Sequence, residues 1–257
     1  YGSSEDVVSK LKENGFEVYE VSWDGWGRPL TGGNELITHS GLVNPENAHR
    51  LVHNLRFFHI WHLLSQFEKE GRKYDRLITT DVRDVMFQGN PSDWLDANQE
   101  KPIIAPGESV MYRDESWNLN NFVTTFGNLL WEYLGKDIQV CNVGTIAGNV
   151  DEIKDMCYMI YSLAVGNGHG DQPAFNILAN TSYKDRVQFV GTDDYWACQT
   201  GTLVENYDKL KSVLLDKPPY MGMDGLVRNS KDDIFCLVHQ YERIPEWNEI
   251  IEKKYPL

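Results

Sequence analysis

The sequence lacks any run of about 18 consecutive apolar residues, the length a helix needs to cross a bilayer. No stretch of it reads as a signal peptide. It is also short of positive charge: 24 Lys and Arg stand against 38 Asp and Glu, a formal net charge of −14. Nucleic acid requires a basic face and anionic membranes attract basic segments, so neither is expected as a partner. Cysteine is sparse. Cys141, Cys157, Cys198 and Cys236 form no Cys-x-x-Cys pair, which argues against zinc, and four cysteines in 257 residues do not make a disulfide scaffold. His53, His59 and His62 fall within one expected helix, but no carboxylate is placed as in His-Glu-x-x-His. Repeats, low-complexity tracts and interdomain linkers are missing too, so a single domain over residues 1–257 is expected.

What the chain does have is a core: 41% of its residues are hydrophobic and 12% are aromatic. Strand-like and helix-like stretches alternate along it, the pattern of an α/β fold. The expected order begins with a helix from about Glu5 to Asn14, stopped by Gly15, and a strand over Phe16–Val21. Residues 23–43 read as a long loop. Asn44-Pro45-Glu46 opens a helix that runs to about Glu70 and is ended by Gly71. Further helices are expected near 91–97, 122–134, 151–165 and from Asp171, and further strands at 76–80, 102–106, 138–147, 187–190 and 234–238. Residues 109–121, with Tyr112, Trp117 and three Asn, read as an irregular loop with the stacking faces and amide groups a sugar surface needs.

One stretch organises the rest. The apolar run Leu77-Ile78-Thr79-Thr80 reads as a buried strand, and two carboxylates three residues apart, Asp81 and Asp84, lie at its end. Open α/β sheets bind ligands outside the carboxyl ends of their strands. An acidic pair there suits a hard divalent cation bridging to phosphates, though a solvated turn with an Asp N-cap has the same sequence.

The stretch Asp81-Val82-Arg83-Asp84-Val85-Met86-Phe87-Gln88 followed by Asn90-Pro91 resembles the acidic metal motif of GT-A-type nucleotide-sugar glycosyltransferases in its Asp-x-Arg-Asp-x-x-Phe-Gln form. Further matches follow in order: Asn142-Val143-Gly144, Asp171-Gln172 with Asn176, and Val238-His239-Gln240-Tyr241. The resemblance implies one GT-A (Rossmann-like) domain with a mostly parallel central sheet and helices on both faces. Its N-terminal half would bind the nucleotide-sugar and its C-terminal half the acceptor. The family's first strand is then expected upstream, with Tyr1-Gly2 as its stub.

The implied activity is metal-dependent transfer of a sugar from a nucleotide-diphosphate sugar, expected to be UDP-linked, to a hydroxyl of a glycan or glycoconjugate, with retention. Asp81 and Asp84 would hold the ion and His239 would complete its shell. An imidazole ligand points to Mn²⁺ first and Mg²⁺ second. Arg56 (with Asn54) would face the donor, alongside Asp81. Asn142, Gly144 and Gln172 would line the sugar pocket, and Asp171 would lie beside the reacting carbon. One departure stands out: the family's usual motif spaces its aspartates two apart. Which Asp meets metal and which meets ribose stays open, and Asp171, Asp193 or Asp194 remain alternative bases for an inverting reaction. An Asp-dependent phosphatase and a catalytically inactive sugar-binding relative are the other classes. The sequence carries no cellular address.

Overall fold

A computed structural model of the chain describes residues 5–19, 52–164, 168–203 and 217–255. It divides into two compact units, Tyr1–Arg50 and Leu51–Leu257. In the first, helix α1 spans Glu5–Glu13 with Lys10 and Lys12 in its last turn, where cations meet the negative end of the helix dipole. Gly15 then takes a left-handed φ of 83°, which a residue with a Cβ reaches at a cost. Phe16–Tyr19 are not strand. The expected Tyr1-Gly2 stub, the loop at 23–43 and the start of the helix at Asn44 lie outside the described residues.

The second unit opens with α2 (Val52–Lys69), β1 (Arg76–Ile78), β2 (Val85–Phe87), α3 (Pro91–Asn98), β3 (Ile103–Met111) and α4 (Ser116–Tyr133). It continues with β4 (Gln139–Cys141), β5 (Ala147–Asn149), α5 (Val150–Leu163), α6 (Asp171–Asn180), β6 (Val187–Val190) and β7 (Ala197–Gln199). It ends with β8 (Tyr220–Met221), β9 (Val227–Arg228), β10 (Leu237–His239) and α7 (Pro245–Lys254). Mixed helix and sheet are therefore observed. One sheet has the order β1-β5-β3-β4 with β6 also paired to β3; a second has β2-β10-β7; β8 and β9 form a ribbon.

β3 is the central element, buried from Ile103 to Val110. Its side chains alternate between layers, as a strand requires. Ile103 and Ala105 pack with Phe57 of α2, Met156 and Ile160 of α5 and Phe175 of α6. Ile104 packs on the other side with Trp94 and Leu95 of α3 and with Trp196.

Two expectations are corrected. Among the described residues β3–β6 and β10–β7 are parallel, but the other five pairings are antiparallel. For β3 and β4 the reason lies in α4, which departs from the end of β3 and returns to it: Met111 pairs with Gln139, and Tyr112 N donates to Ile138 O at 3.2 Å. Gly127, at φ 79° and ψ 166°, breaks the helix so that the chain can double back. An excursion that begins and ends at one strand end joins antiparallel neighbours, whereas a crossover would join parallel ones. Second, the strand expected to be buried is exposed at Arg76 and half-buried after it; among the described residues β1 pairs with β5 alone.

Residues 109–121 are also not a loop. Val110 and Met111 extend β3, and α4 starts at Ser116, capped by the Glu115 carboxylate, which accepts from Trp117 N at 2.9 Å and Asn118 N at 2.6 Å.

Gln88, the last residue of the acidic motif, is structural. Its Nε2 donates to Val227 O and Phe235 O, each at 3.0 Å, and its Oε1 accepts from Val227 N at 2.8 Å, tying the end of β2 to β9. Gln88→Ala removes three bonds worth about 1 kcal/mol each and strands backbone groups, so urea unfolding is expected to show a loss of about 2–4 kcal/mol. An unchanged urea midpoint contradicts this assignment.

Candidate metal centre

Antiparallel pairing of β1 with β5 places Ile78 opposite Ala147, and the ladder carries on beyond the strands. Thr79 N donates to Ile146 O at 2.8 Å and Asp81 N to Gly144 O at 3.1 Å. The Asn-x-Gly turn and the first aspartate are thereby held together by backbone. Asn142 N donates to Pro106 O at 2.8 Å, so the same turn is fixed to β3 on its other side. Asn176 of α6 clamps the strand just before it: Oδ1 accepts from Cys141 N and Nδ2 donates to Cys141 O, both at 2.7 Å.

β10 brings in the C-terminal motif. His239 pairs with Val85 on one side, and Gln240 N donates to Asp84 O at 2.7 Å. The result is one cluster: Asp81, Asp84 and His239 each offer a ligand atom, all within 4.8 Å of one another. His239 Nε2 lies 3.4 Å from Asp81 Oδ2 and 3.9 Å from Asp84 Oδ2.

Two features show that this group fits a cation. His239 is 1% exposed, yet its Nε2 is buried without a hydrogen-bond partner. Its other nitrogen, Nδ1, is 2.8 Å from Gln199 Oε1, the side chain of its register partner on β7. Gln199 Nε2 donates to Thr145 Oγ1 at 2.8 Å, which turns Oε1 toward the ring. Nδ1 then carries the proton and Nε2 presents its lone pair to the carboxylates, the orientation an outer-shell partner gives a ligating His. The second feature is space. A Cβ on Gly144 would sit 2.6 Å from His239 Cε1 and 2.9 Å from Asp81 Oδ2, so only glycine leaves the cradle open.

Charge points the same way. Arg56 of α2 spans two carboxylates, one Nη bonding Asp81 Oδ1 and the other reaching Asp171 Oδ2 at 3.0 Å. Asp81, Asp84 and Asp171 against one guanidinium leave two negative charges uncompensated, the charge of a divalent ion. Burial pushes the Asp81 carboxyl up, and the Arg56 guanidinium beside it pulls it back down. Asp81 therefore stays available as an anionic ligand.

The sequence-derived residues divide clearly. Asp81, Asp84 and His239 meet; Arg56 links Asp81 to Asp171 across α2 and α6. Gly144 lines the cluster, and Asn142 Oδ1 accepts from Gly144 N at 2.7 Å. Gln172 Oε1 is 3.4 Å from Val143 N, so it abuts the same turn. Asn54 Nδ2 donates to Ala164 O at 2.9 Å. Asp193 pairs with Lys231 at 3.0 Å, and Asp194 Oδ2 accepts from its own Gly191 N at 2.7 Å.

Sequence reasoning missed Gln199, which no motif marks; only the register of β7 against β10 reveals it. Nor does any motif mark Glu108, which is 5% exposed and whose Oε1 accepts from Asn142 Nδ2 at 2.7 Å. Among the described residues no helix is long and apolar enough to cross a membrane. No known protein-family model and no curated protein matches the chain.

Isothermal titration with MnCl2 is expected to show one ion per chain. Gln199→Ala should weaken it by about 10–100-fold, as loss of an outer-shell partner does. Asp84→Asn and Gly144→Ala should each cost more than about 100-fold, because they remove a ligand or fill the cradle. Wild-type affinity in Gly144→Ala contradicts the placement of the ion.

Proposed function

We propose that this protein is a metal-dependent glycosyltransferase of the GT-A type, moving a sugar from a UDP-linked donor to a hydroxyl of a glycan or glycoconjugate. The observation that carries the proposal is the cluster at the strand ends: two carboxylates and a buried, unpartnered imidazole nitrogen that can hold a divalent ion. Mn²⁺ suits this mixed oxygen and nitrogen set best, with Mg²⁺ second. When bound there, the ion supplies charge neutralisation for the leaving diphosphate.

The chain's own residues supply the rest. Arg56 orients Asp81 and holds Asp171, whose side chain is 7% exposed. Asp171 is the group we assign beside the reacting carbon. Asn142 and Gln172, both buried, flank the same turn. Asp193 pairs with Lys231 and Asp194 accepts from Gly191 N, so neither is assigned a role in the transfer.

On the acceptor side, the rings of His53, His169 and Trp117 gather at the surface. His169 is 5.1 Å from His53 and 5.5 Å from Trp117, centroid to centroid, and Trp117 is half exposed. His53 lies one helical turn before Arg56 and His169 two residues before Asp171, so these rings border the proposed site. Exposed rings of this kind offer a stacking face to a sugar.

The test is release of UDP from UDP-sugars with no acceptor present. Turnover is expected with Mn²⁺ and is abolished by chelation. Asp171→Asn should bind Mn²⁺ as the wild type does but turn over at least about 100-fold more slowly, in the range that loss of a proton-handling or charged group produces. Release of phosphate from p-nitrophenyl phosphate with no action on UDP-sugars identifies a phosphatase instead. Binding of UDP-sugar without turnover identifies an inactive relative.

A further inference from the structure

Glu108 is a buried carboxylate that the metal cluster does not use. β3 loses its register with β4 between Gly107 and Met111, and within that break Ser109 takes a left-handed φ of 56°. Bulges of this kind re-aim side chains and gather beside active sites, and a non-glycine residue in that region is strained. The strain is partly offset by a 2.6 Å hydrogen bond between the Ser109 and Thr192 hydroxyls. The carboxylate beside the bulge is buried and lies in a nest of neutral amides. Asn142 Nδ2 donates to Oε1 at 2.7 Å and Gln172 Nε2 to the same oxygen at 3.0 Å. Gln172 Nε2 is also 2.7 Å from Asn118 Oδ1.

Both of these bonds fall on Oε1; among the described residues Oε2 accepts none, and no cation pairs with Glu108. Burial pushes its carboxyl up, a penalty that the amides only partly offset. Close by, the Tyr112 hydroxyl is fully buried with no partner, within electrostatic reach of both Glu108 and Asp171. A fold has no need of such a group, because an unpaired buried carboxylate costs stability that an apolar residue would not.

The position gives it a use. Asn142 joins the nest to the metal centre: its Oδ1 and Asp81 Oδ2 would each lie 2.9 Å from a Cβ on Gly144. Glu108 is thus one hydrogen bond beyond the cradle. We propose that Glu108 accepts a hydroxyl of the transferred sugar through Oε2 and is the residue that selects a donor carrying a hydroxyl at that position. This rests on the glycosyl-transfer reading. A site built to hydrogen-bond a substrate hydroxyl rejects the analogue lacking it far more strongly than an apolar pocket rejects a size mismatch.

Glu108→Gln separates a role in binding from a role in the fold. An amide oxygen can still accept from both Asn142 and Gln172, so the nest is kept while Oε2 becomes a donor. The measurement is kcat/KM for Mn²⁺-dependent UDP release from UDP-glucose, UDP-galactose and their monodeoxy analogues, with thermal unfolding and Mn²⁺ titration alongside. E108Q is expected to keep or raise Tm and to bind Mn²⁺ within about threefold of wild type, since no metal ligand changes. Its kcat/KM on the preferred donor should fall at least about 100-fold. Wild type should lose a similar factor on one monodeoxy analogue, and that loss should vanish in E108Q.

Wild-type kinetics in E108Q with an unchanged deoxy profile overturns the proposal. An E108Q chain that fails to fold also overturns it, because the charge then serves the fold. If the wild type turns over no UDP-sugar at all, the glycosyl-transfer reading itself falls and this assignment falls with it. A wild type that is active while E108Q matches it removes only the role of Glu108.

Discussion

The centre of this structure depends on how like charge is managed at the strand ends. Asp81 and Asp84 offer oxygens within 4.8 Å of each other, a separation at which two unit charges repel by roughly 3–4 kcal/mol at a protein-like effective dielectric. Arg56 relieves part of this by bonding Asp81, and with its other nitrogen it brings Asp171 to the same place. The guanidinium's planar fork suits such a double task, and a lysine could not reproduce it. The residual negative charge lies beside a buried imidazole nitrogen with no partner. That combination is costly in a protein with no cation to receive and useful in one that binds a divalent ion.

The surrounding architecture reads as support for this arrangement. Asp81 is fixed by backbone pairing to the Gly144 turn, and that turn is fixed to β3. Asn176 bonds both backbone groups of Cys141, which ties α6, and with it Asp171 and Gln172, to the strand that leads into Asn142. Gln199 and Thr145 fix the tautomer of His239. Each is a short bond between elements distant in sequence, so the site is held on rigid strands and helix ends. Loops of the described unit contribute little beyond Gly144 and the approach to Asp84.

Much of the cluster was legible in the sequence because its residues carry charge or ligating nitrogen in positions that strand-end logic marks. Asp81, Asp84 and His239 were each placed at the end of an apolar run, and topology then brought the runs together. The spacing of three between the aspartates is accommodated because Asp81 lies on the extension of β1 and Asp84 immediately before β2. What the sequence did not show was pairing direction. Alternating helices and strands suggested crossovers, but a left-handed Gly127 folds α4 back on itself, and no apolar periodicity records that. The asparagine-rich start of α4 has weak helix propensity, so its capping by Glu115 passed unnoticed. Gln199 and Asn176 act through register and backbone contacts, which a linear pattern does not encode.

The proposed site stands or falls on whether the cluster of Asp81, Asp84 and His239 holds a divalent cation. Anomalous diffraction at the manganese edge, from crystals grown with MnCl2, tests it most directly. The account predicts one strong peak in contact with Asp81 Oδ2, Asp84 Oδ2 and His239 Nε2, at roughly 2.0–2.6 Å from the carboxylate oxygens. Manganese bound at other carboxylates while this cluster shows no peak would contradict it.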